Sequence, residues 1–106
     1  MKESDILQSV RLRASQLGCV LFRNNSGMLY NKDGTPVRYG LAKGSSDLIG
    51  WRAIGNPPIA QFLAFEIKRP GCKPTPEQVV FLDNVSKAGG IAAVVTDASQ
   101  LENLLK

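Results

Sequence analysis

Histidine is absent from this chain of 106 residues, and its two cysteines, Cys19 and Cys72, lie far apart with no second cysteine near either. Zinc centres, Cys–His and Ser–His nucleophilic machinery and imidazole acid–base chemistry are thereby excluded. Whatever chemistry the chain performs must use carboxylates, lysines or a metal held by oxygen. No apolar run approaches the ~20 residues that a bilayer span needs. Met1-Lys2-Glu3-Ser4-Asp5 leads straight into a charged amphipathic stretch, where a secretory signal would carry an apolar core. The expectation is a soluble protein with no membrane partner. Only six prolines interrupt a composition that is 43% hydrophobic and 21% charged, which is ordinary for a globular protein and unlike a disordered or fibrous one. The length fits one domain over residues 1–106, large enough to bury roughly two-thirds of its unfolded surface without staples.

Acidic residues are scarce where basic ones gather. Between Arg11 and Lys73 there are ten bases against three acids, Asp33, Asp47 and Glu66, while the chain beyond Lys73 is net acidic. A concentrated basic field inside a modest overall charge of +4 suits a polyanion such as nucleic acid.

Ile6, Leu7, Val10, Ala14 and Leu17 recur at helical spacing, with Ser4 as N-cap and Gly18 past the end, which predicts a helix over 4–17. Cys19 to Arg23 reads as a strand, closed by the turn-rich Asn24-Asn25-Ser26-Gly27. Met28-Leu29-Tyr30 and Val37-Arg38-Tyr39 then flank Asp33-Gly34, the dipeptide favoured where both central turn residues have positive φ. Further strands are predicted over 47–51, 59–68 and 91–95. Thr75, Pro76 and Gln78 supply an N-cap, a first-turn proline and a capping-box partner for a helix that Gly89-Gly90 ends, and a last helix is predicted over 97–105. The order is a helix, a meander of three or four strands, and strand–helix–strand–helix. It predicts an α/β/α sandwich around a mixed central sheet with one parallel crossover.

Along Phe62-Leu63-Ala64-Phe65-Glu66-Ile67-Lys68, strand alternation turns Leu63, Phe65 and Ile67 one way and Glu66 and Lys68 the other, about 6.6 Å apart. Asp47 opens another strand just after the flexible Gly44-Ser45-Ser46. If the two strands pair, the acids converge, and carboxylates that close repel each other unless a cation lies between them. Mg²⁺ suits such a site, since it takes oxygen ligands and can accept the backbone carbonyl of Ile67. Lys68 beside it could orient or deprotonate a water and offset charge on a phosphate. Taken alone, Glu-x-Lys is more often an exposed ion pair on a strand. An apolar strand, a glycine-rich bend, basic surroundings and a well-capped helix together weigh towards a phosphodiesterase set.

Gly44-Ser45-Ser46-Asp47-Leu48-Ile49-Gly50, then Phe65-Glu66-Ile67-Lys68, then Thr75-Pro76-Glu77-Gln78, then Gly89-Gly90-Ile91-Ala92-Ala93-Val94-Val95 resembles, in that order, the virus-type replication-repair nuclease (VRR-NUC) family of the PD-(D/E)XK nuclease superfamily. Ser46 stands where the superfamily motif has proline. The resemblance implies a restriction-endonuclease-like core and catalysis by Asp47, Glu66 and Lys68. Asp47, Glu66 and the Ile67 carbonyl would be ligands of Mg²⁺ or Mn²⁺. Gln78 matches the family's glutamine at the start of the following helix, where its other role is the capping box. Glu3 resembles an acid on the family's first helix that reaches the metal directly or through water; its other role is a solvated acid favoured by the helix dipole. Lys43, Arg52, Arg69 and Lys73 flank the ligands as candidates for phosphate contacts, and Arg23, Arg38 and Tyr39 could extend that surface from the hairpin. Trp51, Phe62 and Phe65 are assigned to the core or a subunit interface, and both cysteines to free thiols.

The resemblance further implies a stand-alone phage or bacterial enzyme. It would act as a homodimer in the cytoplasm of a bacterial cell or infected host, cutting branched DNA such as four-way (Holliday) junctions in recombination, repair or replication, without a nucleotide cofactor. Two other readings stay open at this point. One is a nicking or restriction-like nuclease on other DNA or on RNA; the other is a non-catalytic nucleic-acid-binding module.

Overall fold

The computed structural model describes all 106 residues. Its elements run α1 (Glu3–Gln16), β1 (Val20–Arg23), β2 (Gly27–Tyr30), β3 (Pro36–Tyr39), β4 (Leu48–Ile54), β5 (Ile59–Ile67), α2 (Pro76–Lys87), β6 (Ile91–Val95), a 3-10 turn (Ala98–Gln100) and α3 (Leu101–Leu104). The central sheet has the order β1-β4-β5-β6. Only β5 and β6, joined through α2, are parallel; β1 with β4 and β4 with β5 are antiparallel. The mixed sheet and the α/β/α layering are thus as expected, while the meander is not. β2 and β3 pair only with each other as a separate ribbon, and β1 reaches past them to β4.

One face of the sheet carries the core. Leu48 lies opposite Phe65, and with Leu63, Ile67 and Val95 they pack against Ile6, Leu7, Val10 and Ala14 of α1 and Leu101 of α3. Each large aliphatic side chain buried this way contributes roughly 2 kcal/mol. The other face is covered by α2 over β5 and β6, with Leu82 buried against the sheet. Both faces of the second half of β5 are therefore closed, and the run from Leu63 to Ile67, Glu66 included, is buried.

Several local expectations are corrected. The N-cap of α1 is Lys2, in extended conformation and without a side-chain bond, so Ser4 is already inside the helix. Glu3 and Asp5 occupy the first turn instead, where carboxylates favour the positive end of the dipole. Leu17 terminates α1 as its C-cap and is 37% exposed, because the helix ends before its stripe would carry that side chain inward. The hairpin turn runs over Asn31–Gly34, closed by the Gly34 N–H donating to the Asn31 carbonyl at 2.9 Å; Gly34 alone has positive φ, while Asp33 accepts from the Thr35 N–H. The last helix is split into a 3-10 turn capped by Asp97 and the short α3. In α2, by contrast, Thr75 and Gln78 form the full capping box and Pro76 opens the first turn.

Gly50 is required by the β1–β4 pairing, since a Cβ there would stand 1.8 Å from the Val20 carbonyl oxygen, which is backbone and cannot swing aside. Gly50→Ala is expected to lower the unfolding free energy by about 2–3 kcal/mol in denaturant titration; a change within the ~0.5 kcal/mol of a surface substitution would contradict this packing.

Candidate active site

Antiparallel pairing of β4 with β5 sets Leu48 against Phe65, so the residue before β4, Asp47, arrives beside Glu66. The two acids are cross-linked through each other's backbone. The Asp47 N–H donates to Glu66 Oε1 at 3.2 Å, and the Ile67 N–H donates to Asp47 Oδ2 at 2.8 Å. Glu66 Oε2 accepts from the Gln78 side-chain amide at 2.8 Å, and the Lys68 ammonium lies 3.6 Å from the same oxygen. Gln78 makes both contacts with one side chain, because while its Nε2 donates to Glu66 its own Oε1 accepts from the Thr75 N–H in the capping box. One side chain thus ties the start of α2 to the C-terminal end of β5.

Glu66 is only 2% exposed, and burial, then the neighbouring Asp47 charge, push its carboxyl up to about 7. Lys68 pulls in the other direction without cancelling them. Two acids held this close, one of them desolvated, form a donor set that a hard divalent cation relieves. No three or more acid or thiol side chains are grouped closely enough to make a metal cage. A cation on Asp47 and Glu66 would complete its shell with a backbone carbonyl, water or substrate oxygen, the habit of Mg²⁺ more than of Ca²⁺. The residues present fit such an ion.

Glu3 stands across a cavity of about 120 Å³ that it lines together with Ser4, Leu7, Arg23, Asp47 and Ile67. The first turn of α1 therefore faces the site without joining the acid pair. Lys43 lies with Glu77 at the start of α2, and exposed Arg69 and Lys73 lie on the loop from β5 to α2, the end of the sheet that carries Glu66. Arg52 is not brought there. It sits four positions along β4 from Leu48, bonded to Gln61 at 2.8 Å and to the Leu105 carbonyl, holding the C-terminal segment. Phe65 is fully buried, whereas Trp51 and Phe62 are 45% and 42% exposed on the half of the sheet face that α2 leaves open. Phe22 joins them there, its ring 5.5 Å from that of Trp51. Cys19 is buried and Cys72 exposed, both free.

Two positioning residues escaped the sequence reading. Asn24 donates its backbone N–H to the Asp47 carbonyl at 2.7 Å, and its side-chain amide to Ser45 Oγ and the Ser46 carbonyl at 2.8 and 2.9 Å. In sequence it is one of several turn-forming residues, and nothing local marks a partner more than twenty positions away. Ser46, in the place of the motif's proline, is buried and donates its hydroxyl to the Leu48 carbonyl at 2.9 Å, which fixes the bend before β4 by a bond in place of a ring.

A family model described as the VRR-NUC domain matches residues 3–98. No curated protein matches the chain.

Between the ordinary value near 4.5 and about 7, folded Glu66 binds its proton more tightly than the unfolded chain does. The metal-free protein is therefore relieved of this strain at low pH and loses stability as pH rises through that window. Melting temperatures in EDTA between pH 5 and 8 are expected to fall more steeply for the native chain than for Glu66→Gln; parallel profiles would contradict the assignment.

Proposed function

The chain belongs to the VRR-NUC family, whose domain implies a nuclease of the PD-(D/E)XK type, and on that premise we propose that it is a Mg²⁺- or Mn²⁺-dependent endodeoxyribonuclease built from one domain over residues 1–106. The observation that carries this reading is the convergence of Asp47, Glu66 and Lys68 at one end of β4 and β5, with Glu66 buried and held by Gln78. A bound divalent cation supplies Lewis acidity at a phosphate oxygen and lowers the pKa of an attacking water. Asp47 and Glu66 would hold it, with the Ile67 carbonyl as a further ligand and Glu3 reaching it across the small cavity. Gln78 orients Glu66, and Asn24 and Ser46 fix the bend that presents Asp47. Lys68 orients the water and offsets negative charge gathering on the phosphate.

Lys43, Arg69 and Lys73 would receive the flanking phosphates. Arg52, engaged with Gln61 and Leu105, is better placed to hold the fold. The substrate proposed is branched DNA such as a four-way junction, in replication, recombination or repair within a bacterial or phage-infected cytoplasm, with no nucleotide cofactor. The working unit proposed is a homodimer. The uncovered apolar strip of Val20, Phe22, Trp51 and Phe62 supports it, because a second copy would remove that surface from water and a two-fold pair suits symmetric cuts.

Asp47→Ala and Glu66→Ala are expected to abolish Mg²⁺-dependent cleavage of a labelled four-way junction while junction binding is kept or strengthened; cleavage surviving in both would remove the metal-site reading. Lys68→Ala is expected to slow cleavage at unchanged metal affinity. Equal cutting of a matched linear duplex would keep the chemistry and discard the branch preference. Affinity should fall steeply between ~50 and ~200 mM salt, as phosphate-dominated binding does; a flat dependence would contradict the basic face.

A further inference from the structure

The ribbon of β2 and β3 is the part of the chain that the site does not use. It is sheeted with nothing else, and seven of its eight strand residues are exposed. A lone two-stranded hairpin is marginal in water, and this one is apolar on both sides. The pairing of Leu29 with Val37 puts those side chains and Tyr39 on one face, Leu29 64% and Tyr39 45% exposed. The other face carries Met28 and Tyr30, 40% and 69% exposed, beside Arg38. The radius of gyration, 14.9 Å, exceeds the ~13 Å of a compact chain this long, as a projecting ribbon would make it.

Its root is fixed to the acid site. β1 ends at Arg23, opposite Leu48, and the next residue is Asn24, bonded to Ser45, Ser46 and Asp47. Arg23 itself lines the small cavity with Glu3 and Asp47. The ribbon therefore leaves the fold at the rim of the site, with its direction set by the same bonds that place Asp47. Charge along it is basic. Lys32 lies in the turn, Arg38 on β3, and Arg23 and Lys43 at the two ends, while the one acid, Asp33, is bonded to the Thr35 N–H.

We propose that the β2–β3 ribbon is a DNA-reading arm, which places Met28, Leu29 and Tyr30 against bases exposed at a break in duplex stacking while the basic residues hold the adjoining phosphates. This rests on the nuclease reading above and deepens it by naming what recognises the branch. The physical case is the mixture of side chains. Phosphate contacts need only bases, but large apolar groups and an exposed phenol ring on a narrow ribbon match a wedge or stacking platform for unstacked bases. A two-stranded ribbon is also narrow enough to enter a DNA groove. A second copy of the chain is the poorer occupant, because the charge along the ribbon, Arg23, Lys32, Arg38 and Lys43 against Asp33 alone, is of one sign and pairing two ribbons would double it.

The test uses the full chain with Leu29→Ser/Tyr30→Ser, both side chains being exposed, and Tyr30→Phe as the conservative variant. Affinities for a four-way junction and its matched duplex are measured in EDTA, with 2-aminopurine at the branch point reporting base stacking. The double variant is expected to lose junction affinity about tenfold, the scale of a lost base–aromatic stack, with duplex affinity within about twofold and the 2-aminopurine response gone. Tyr30→Phe should retain all three. Equal losses on duplex and junction, no loss on either, or conversion of a dimer to a monomer in sedimentation would each overturn the arm. Metal-dependent cleavage by the native chain alongside any of those results would leave the nuclease reading standing; a native chain that binds neither DNA would overturn both.

Discussion

A carboxylate buried on an inner strand of a sheet is costly unless every lone pair finds a partner, and Glu66, 2% exposed near the end of β5, is such a carboxylate. Its partners come from three other parts of the chain: the Asp47 N–H before β4, the Gln78 amide on α2 and the Lys68 ammonium beyond β5. Much of the architecture can be understood as the means of delivering them. The antiparallel β4–β5 register brings Asp47 to the right height, and the capping box turns Gln78 towards the sheet. Asn24 and Ser46 hold the bend that would otherwise let Asp47 drift.

These bonds satisfy Glu66 without neutralising the pair. Asp47 adds a second negative charge, and together with burial it raises the Glu66 carboxyl to about 7. A chain selected for stability alone would place an amide or an apolar side chain there. Two converging acids at that cost are what the proposed cation-dependent function would account for. The rigid and the exposed parts are also divided in space. The acids sit on or beside paired strands under helices, while the basic loop residues and the ribbon stand in solvent, where they would be free to adapt to the proposed DNA substrate.

How much of this was legible follows from how local each determinant is. The α2 helix was, because cap, proline and capping-box partner lie within four residues of Thr75. The convergence of Asp47 and Glu66 needed only the inference that two neighbouring strands pair. Long-range choices were opaque. Nothing in the hairpin's own residues says that β1 skips it to pair with β4, and the partners of Asn24 lie across the chain. The reach of Arg52 to the Leu105 carbonyl could not be read from charge pattern. Trp51 and Phe62 have core composition and half-exposed positions, because α2 lies over β5 and β6 and leaves β1, β4 and the adjoining first half of β5 uncovered.

The most direct measurement of the central claim, that Asp47 and Glu66 form a divalent-cation site, is calorimetric titration of Mn²⁺ into the metal-free chain at pH 6 and pH 8 in buffers of different ionisation enthalpy. A cation that claims a carboxylate titrating near 7 must displace its proton. Binding is therefore expected at both pH values, with proton release marked at pH 6, nearly absent at pH 8, and both lost in Asp47→Ala. Binding that survives Asp47→Ala, or that releases no proton at pH 6, would contradict it.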